Sequence, residues 1–189
     1  MTARKLGFQS IATQRLILRP LRQSDNADVL RILADREVTQ FTVLSKQQRL
    51  MIEHMQRRIL LGSERTHRYE ERMQWAITLD GDDTLIGRCG FEELYRSIGY
   101  AELGYWLARE RWGQGMMSEA VCAVVEYGFQ TLNLQRIQAW VLANNQASMR
   151  VLQKCGFHYE PRLEPSHDLL PYSLSKADYD ARNRPVQQH

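Results

Sequence analysis

Between Glu102 and Ala120 the chain runs Glu102-Leu103-Gly104-Tyr105-Trp106-Leu107, then Arg109 to Arg111, then Trp112-Gly113-Gln114-Gly115, then Met116, Met117, Ser118, Glu119 and Ala120. The apolar, aromatic-rich run reads as a strand, and the glycine pair as a tight turn that opens a helix. A strand feeding a helix in this way commits the chain to a mixed architecture with at least one crossover connection. It also makes an anion cradle. The amides of a first helical turn have no internal partners and carry the positive end of the dipole, and glycines let an anion reach the backbone. A tight turn with no ligand carries the same pattern, so the surroundings must decide. Met116 and Met117 stand where a Walker loop needs Lys and Ser or Thr, and Ser118 stands where a dinucleotide fingerprint places its third glycine.

The rest of the chain alternates strand and helix patterns. Arg15 to Arg19, closed by Pro20, reads as a first strand, followed by a helix opened by Ser24 and Asp25 with Val29, Leu30, Ile32 and Leu33 inward. Ser45 with Gln48 is a capping box for a second, Arg-rich helix carrying Met51, Met55 and Ile59 at helical spacing and ending at Gly62. Met73 to Leu79 and Leu85 to Phe91 are antiparallel strand candidates joined by Asp80, Gly81, Asp82 and Asp83, and Tyr100 to Leu107 is a third strand. Beyond the glycine turn come a helix from Gly115 to Phe129, a strand from Arg136 to Val141 and a helix from Asn145 to Lys154. Leu169 to Leu174 is the last strand, closing the sheet before a frayed end at Arg184 to His189.

With 43% hydrophobic residues in 189, the chain can bury one core, and a single domain spanning 1–189 with its core at about 13–176 is expected. The 25 Lys and Arg against 22 Asp and Glu leave a formal charge of +3, scattered rather than patched, so no direct nucleic-acid partner is indicated. Cys89, Cys122 and Cys155 are odd in number, widely spaced and without a Cys-x-x-Cys pair. That pattern predicts neither a disulfide framework nor a zinc knuckle and fits a reducing cytoplasm. No run of about 18 apolar residues and no apolar leader is present, so neither a membrane partner nor secretion is expected. The five histidines lack metal spacing, and no Ser, His, Asp arrangement can be inferred, so neither a metal nor covalent catalysis is expected.

A second constellation lies about thirty residues past the glycine turn. It runs Asn144, Asn145, Gln146, Ala147, Ser148, Met149, Arg150, Val151, Leu152, then Lys154, Cys155, Gly156 and Phe157. Together the two segments resemble the pyrophosphate loop and following helix of the GNAT superfamily of N-acetyltransferases. In detail they are similar to its Rim-type branch, which acetylates N-termini of ribosomal proteins. Arg15, Leu16, Leu18, Arg19 and Pro20 resemble that branch's opening strand, and Ile86 and Gly87 its central hairpin. Gly104, Tyr105 and Trp106 resemble its strand before the cofactor loop, and Asp168, Tyr172, Ser173 and Leu174 its final strand. Trp112 and Met117 depart from the superfamily, which often has Gln or Arg and a small residue there. The resemblance implies an α/β (α+β) fold with one mixed, mostly antiparallel sheet flanked by helices on both faces. It further implies acetyl-CoA as co-substrate, and a monomer or homodimer whose partner is a protein N-terminus or a small-molecule amine.

Acyl transfer from a thioester to an amine needs a neutral nucleophile, a stabilised oxyanion and a protonated leaving thiolate. Glu102, among apolar neighbours on the strand that enters the loop, is the candidate base, and burial would raise its pKa. A plain solvent-facing strand residue is the alternative, with Glu92 and Glu93 in reserve. The resemblance implies backbone amides near Tyr105, Trp106 and Leu107 for the thioester oxygen. It places the diphosphate on Trp112, Gly113, Gln114, Gly115, Met116, Met117 and Ser118. Asn145 either meets the pantetheine arm or caps its helix. Many relatives carry a Tyr proton donor where this chain has Leu152, which leaves Ser148 as the candidate donor to the thiolate, as in the Rim-type branch. Arg150 shares a face with Lys154 and is a candidate contact for the cofactor's ribose phosphate, unless that face is merely solvated. The residues that read the acceptor are expected between Phe41 and Tyr69. A small-molecule acetyltransferase and a non-catalytic acyl-CoA-binding module are the competing readings.

Overall fold

The computed structural model of the chain describes residues 8–41, 72–161 and 168–184. The second helix expected from Ser45 to Gly62, and the acceptor-reading stretch beyond Phe41, lie outside the described residues. The described strands form one eight-stranded sheet in the order β1-β2-β3-β4-β5-β6-β8-β7. They are β1 (Ile11–Ala12), β2 (Leu16–Pro20), β3 (Met73–Leu79), β4 (Asp82–Tyr95), β5 (Tyr100–Leu107), β6 (Arg136–Leu142), β7 (His158–Tyr159) and β8 (Leu169–Ser175). Only β5 and β6 are parallel neighbours. The helix needed to cross between two parallel strands is α3 (Met116–Gln130), which follows the glycine turn.

Alternation sets the two faces of the sheet. Leu16, Leu18, Trp75, Ile77, Cys89, Phe91, Leu103 and Leu107 pack against Ala120, Val121, Val124, Val125 and Phe129 of α3. Burying these large side chains is worth about 1.5–3 kcal/mol each and supplies the main cohesion of the fold. On the other face Ala76, Leu85 and Trp106 meet Val29 and Ile32 of α1 (Asn26–Leu33) and Val38 of α2 (Arg36–Thr39). Helices thus cover both faces of a mostly antiparallel sheet, as expected.

Several elements differ from the sequence reading. The β3–β4 turn is the two residues Asp80 and Gly81, because Leu79 already pairs with Asp82. Leu30, expected inward, is 37% exposed on the outer face of α1. Ser24 and Asp25 sit in a 3₁₀ turn (Gln23–Asp25), and neither side chain caps α1. The buried Asp25 carboxylate instead takes two hydrogen bonds from Arg19, at 2.9 and 2.8 Å, and one from the Arg22 amide at 2.7 Å. The sheet is closed by β7 beyond β8, and the chain continues into a helix, α5 (Lys176–Arg182), capped by the Ser175 hydroxyl. Two-residue strands such as β1 and β7 carry too little alternation to be read from sequence.

The absence of a disulfide is also corrected. Cys122 on α3 and Cys155 at the end of α4 (Gln146–Lys154) form one, with Cα atoms 5.3 Å apart, while Cys89 is free and buried. A separation of 33 residues gives no hint of this pairing, which comes from the side-by-side packing of the two helices. No described helix is long and apolar enough to cross a membrane.

Candidate active site

The sheet splits between its fifth and sixth strands. β5 and β6 pair at only three positions, Tyr100–Arg136, Ala101–Ile137 and Glu102–Gln138. Beyond Glu102, β5 stays on β4 and β6 stays on β8, so the two strands diverge. Along each lip of the split, alternate backbone N–H and C=O groups lose a strand partner and can bond an inserted chain that carries amides. A cavity of about 860 Å³ occupies the split, lined by Leu103 to Leu107, Ala139 to Val141, the glycine loop and the start of α4.

At the mouth of the split, a 3₁₀ turn (Arg109–Arg111) leads into Trp112, whose indole N–H donates back to the Leu107 carbonyl at 2.8 Å. Gly113 and Gly115 then take left-handed conformations with φ of 74° and 77°, which a side chain would strain. Gly115 caps α3 without a side-chain hydrogen bond. Among the described residues the amides of Gly113, Gln114, Gly115, Met116, Met117 and Ser118 have no hydrogen-bond partner, and the first helical bond is made by the Glu119 amide. A run of free amides at the positive end of a helix fits a diphosphate in charge and donor count. The side chains of Met116 and Met117 turn into the core, so these residues offer only their amides. Arg150 is exposed and lies outside the cavity lining.

Three carboxylates gather at the inner end of the split. The β4 register shifts between Phe91 and Glu93, inserting Glu92 as a bulge and setting Glu93 directly across from Glu102. Glu92 lies over Gly104, where an added Cβ would come within 2.6 Å of its Cγ, so β5 needs glycine at that crossing. Arg88 pairs with Glu92 through a 2.5 Å bond, reaches Gln74 at 2.6 Å and lies over the Trp106 ring, 5.7 Å from its centroid. Burial, then the charge of Glu93, pushes the Glu102 carboxyl up to about 7; the Trp140 side chain opposes this and Glu92 adds to it. Glu102 is therefore not a plain solvated strand residue.

On the other face of β5, the Tyr105 hydroxyl lies 2.8 Å from the Ser148 hydroxyl. Burial holds the Tyr105 phenol above its ordinary range, so it stays protonated. Asn145 caps α4, its side-chain oxygen accepting from the Ser148 amide at 3.0 Å, while the residue also lines the cavity. Leu152 is fully buried in the core. The Tyr105 hydroxyl, read from sequence only as backbone, comes into play because residues 103, 105 and 107 alternate away from 102, 104 and 106. That alternation is legible in sequence, whereas the neighbour it meets is not.

A family model described as "Acetyltransferase (GNAT) domain" matches residues 15–158. Over 185 residues the chain is 34% identical to the "Uncharacterized N-acetyltransferase p20" of Bacillus licheniformis, covering 91% of this chain and 99% of that protein. It is 32% identical over 88 residues to the "Ribosomal-protein-serine acetyltransferase" of Escherichia coli (strain K12), spanning 47% of this chain and 49% of that one. In fold it resembles RimJ of Mycobacterium smegmatis, solved in complex with CoA-disulfide, with a TM-score of 0.71 and 24% identity over 92% of this chain and 94% of that chain. The split sheet, the helix opened by unpartnered amides and these likenesses lead to one conclusion: the chain belongs to the GNAT family of N-acetyltransferases, enzymes that take their acetyl group from acetyl-CoA.

Proposed function

We propose that the chain acetylates the N-terminal α-amine of a protein, with ribosomal proteins as the acceptor class, by direct attack of the amine on the acetyl thioester. The observation that carries this reading is a carboxylate held near neutrality, Glu102, at the inner end of the split. An α-ammonium has a reference pKa of about 8 and a lysine-like amine about 10.4. Passing a proton to a base near 7 is uphill by roughly one unit, about 1.4 kcal/mol, for the first and by more than three units, about 4.6 kcal/mol, for the second. A base this weak suits an N-terminus. The likeness to the Escherichia coli ribosomal-protein-serine acetyltransferase supports the choice of ribosomal proteins.

In this mechanism Glu102 takes a proton from the acceptor, directly or through one water, as the amine nitrogen bonds to the thioester carbonyl carbon. Free amides on the β5 lip, in the stretch Tyr105 to Leu107, stabilise the oxygen as it gains charge. The amides of residues 113 to 118 hold the diphosphate. When the carbon–sulfur bond breaks, Ser148, held by the Tyr105 hydroxyl beside it, gives its proton to the departing sulfur and regains one from water, while Glu102 releases the amine proton to solvent. Ser148→Ala is expected to lower kcat by about 10²-fold with the KM for acetyl-CoA within a few-fold, as steady-state thiol release will measure. An unchanged kcat removes Ser148 from the proton path.

The acceptor is tested by thiol release from acetyl-CoA with peptides carrying ribosomal-protein N-termini against spermidine, free amino acids and amine antibiotics. Turnover with peptides is the expected result. Failure of every peptide beside turnover of a free amine replaces the ribosomal reading with a small-molecule one. Cofactor binding without thiol release across the whole panel replaces it with a non-catalytic acyl-CoA module.

A further inference from the structure

We propose that Arg15, in the turn between β1 and β2, is a positioning residue for acetyl-CoA: it masks the Glu119 carboxylate at the mouth of the diphosphate loop and ties that loop to the sheet. The proposal rests on the reading of residues 113 to 118 as the diphosphate cradle.

Glu119 sits in the first turn of α3, directly after the last free amide. A negative side chain suits a helix N-terminus but opposes a diphosphate bound at the same end, because like charges a few ångströms apart repel. The structure turns this carboxylate away and saturates it. Oε1 accepts from the Thr13 hydroxyl at 2.6 Å and from the Arg15 amide at 2.8 Å. Oε2 accepts from the Arg15 Nε and Nη2, each at 2.7 Å. Although burial pushes the Glu119 carboxyl up, these hydrogen bonds prevail and hold it below its usual range, so it keeps its charge and its grip on Arg15.

The same guanidinium reaches the loop. Arg15 Nη1 donates to the Gln114 carbonyl at 3.0 Å, between the two left-handed glycines. In a trans peptide the carbonyl and the next N–H point in opposite directions, so pinning the Gln114 oxygen on Arg15 aims the Gly115 amide the other way, towards the cradle. Arg15 is itself fixed to the sheet, since its carbonyl accepts from the Asp80 amide at 3.0 Å and the next residue, Leu16, pairs with Leu79. The clamp pre-orders a loop that would otherwise lose backbone freedom on binding.

Calorimetry of the full chain with CoA tests this without an acceptor. Arg15→Ala is expected to weaken CoA binding by about 10- to 100-fold, the loss typical of charge-assisted contacts. Adding Glu119→Gln to Arg15→Ala is expected to recover part of that loss, because the unmasked charge is gone while the tie to the Gln114 carbonyl stays broken. Glu119→Gln alone binds at least as tightly as the wild type. Where Arg15→Ala fails to fold, Arg15→Met keeps the aliphatic stem and carries the same expectations. Unaltered binding in the Arg15 variant, or a double variant no better than the single one, overturns the proposal. A wild-type chain that gives no heat with CoA removes the cradle and the proposal together.

Discussion

Glu102→Gln is expected to lower kcat for acetyl transfer by about 10²- to 10⁴-fold while leaving CoA affinity within a few-fold. Glu102 sits at the last β5–β6 pair, at the closed end of the split, whereas the loop of residues 113 to 118 lies beyond β5 at its mouth, so transition-state proton transfer is expected to be lost and cofactor binding kept. The pH profile separates this from a generic defect. With Glu102 pushed up to about 7, the base is protonated below that pH, and kcat/KM is expected to fall tenfold per unit on the acid side. A second limb near 8 belongs to the acceptor's own α-ammonium. In Glu102→Gln the limb at about 7 disappears and the limb near 8 remains. A group with a raised carboxyl pKa favours folding most when protonated, and that contribution is lost as pH rises through about 7. Glu102→Gln is therefore expected to melt no lower than the wild type at pH 8, so inactivity there cannot be assigned to unfolding. Unchanged turnover, or a retained limb at 7, rejects Glu102 as the base.

Asp25→Ala is expected to destabilise the fold by about 3–5 kcal/mol, because it leaves the buried Arg19 cation without its main partner. Arg19 is 4% exposed, and all five of its N–H donors are used, on both Asp25 oxygens, the Asp83 side chain and backbone oxygens of Pro20 and Asp83. In a chain of this size the melting midpoint falls by roughly 6–20 °C. Arg19→Met with Asp25→Leu, which removes both charges, is expected to recover most of the loss, since an apolar pair of similar volume avoids the desolvation cost. Asp83 is 63% exposed and tolerates the loss of Arg19 in water. Although burial pushes the Asp25 carboxyl up, the Arg19 and Arg22 hydrogen bonds prevail and hold it below its usual range. Its share of stability is therefore present above about pH 4 and lost as pH falls further. Calorimetric melts at pH 7 and pH 3 check both statements, and an Asp25→Ala midpoint within a degree of wild type refutes the first.

Local pattern alone determined the strand from Tyr100 to Leu107, the glycine turn, the helix beyond it and the Asn145-capped helix, because each is a short-range consequence of period, glycine placement and side-chain chemistry. It also marked Glu102 and the amides of the glycine turn as candidates, whereas Ser148 and the full run of residues 113 to 118 came from the family resemblance. What these residues do to one another was decided only by tertiary structure. The parting of β5 from β6, the meeting of the Tyr105 and Ser148 hydroxyls and the Cys122–Cys155 pairing each join segments far apart in the chain, and the bulge that sets Glu93 across from Glu102 is a matter of strand register. The same holds for Arg15, which the resemblance placed in an opening strand and the fold delivers, together with Thr13, to Glu119, more than a hundred residues on. Side-chain period and turn chemistry act over a few residues, whereas the carboxyl near 7, the clamped loop and the closed hydroxyl pair arise from strand register and helix packing that no local window contains.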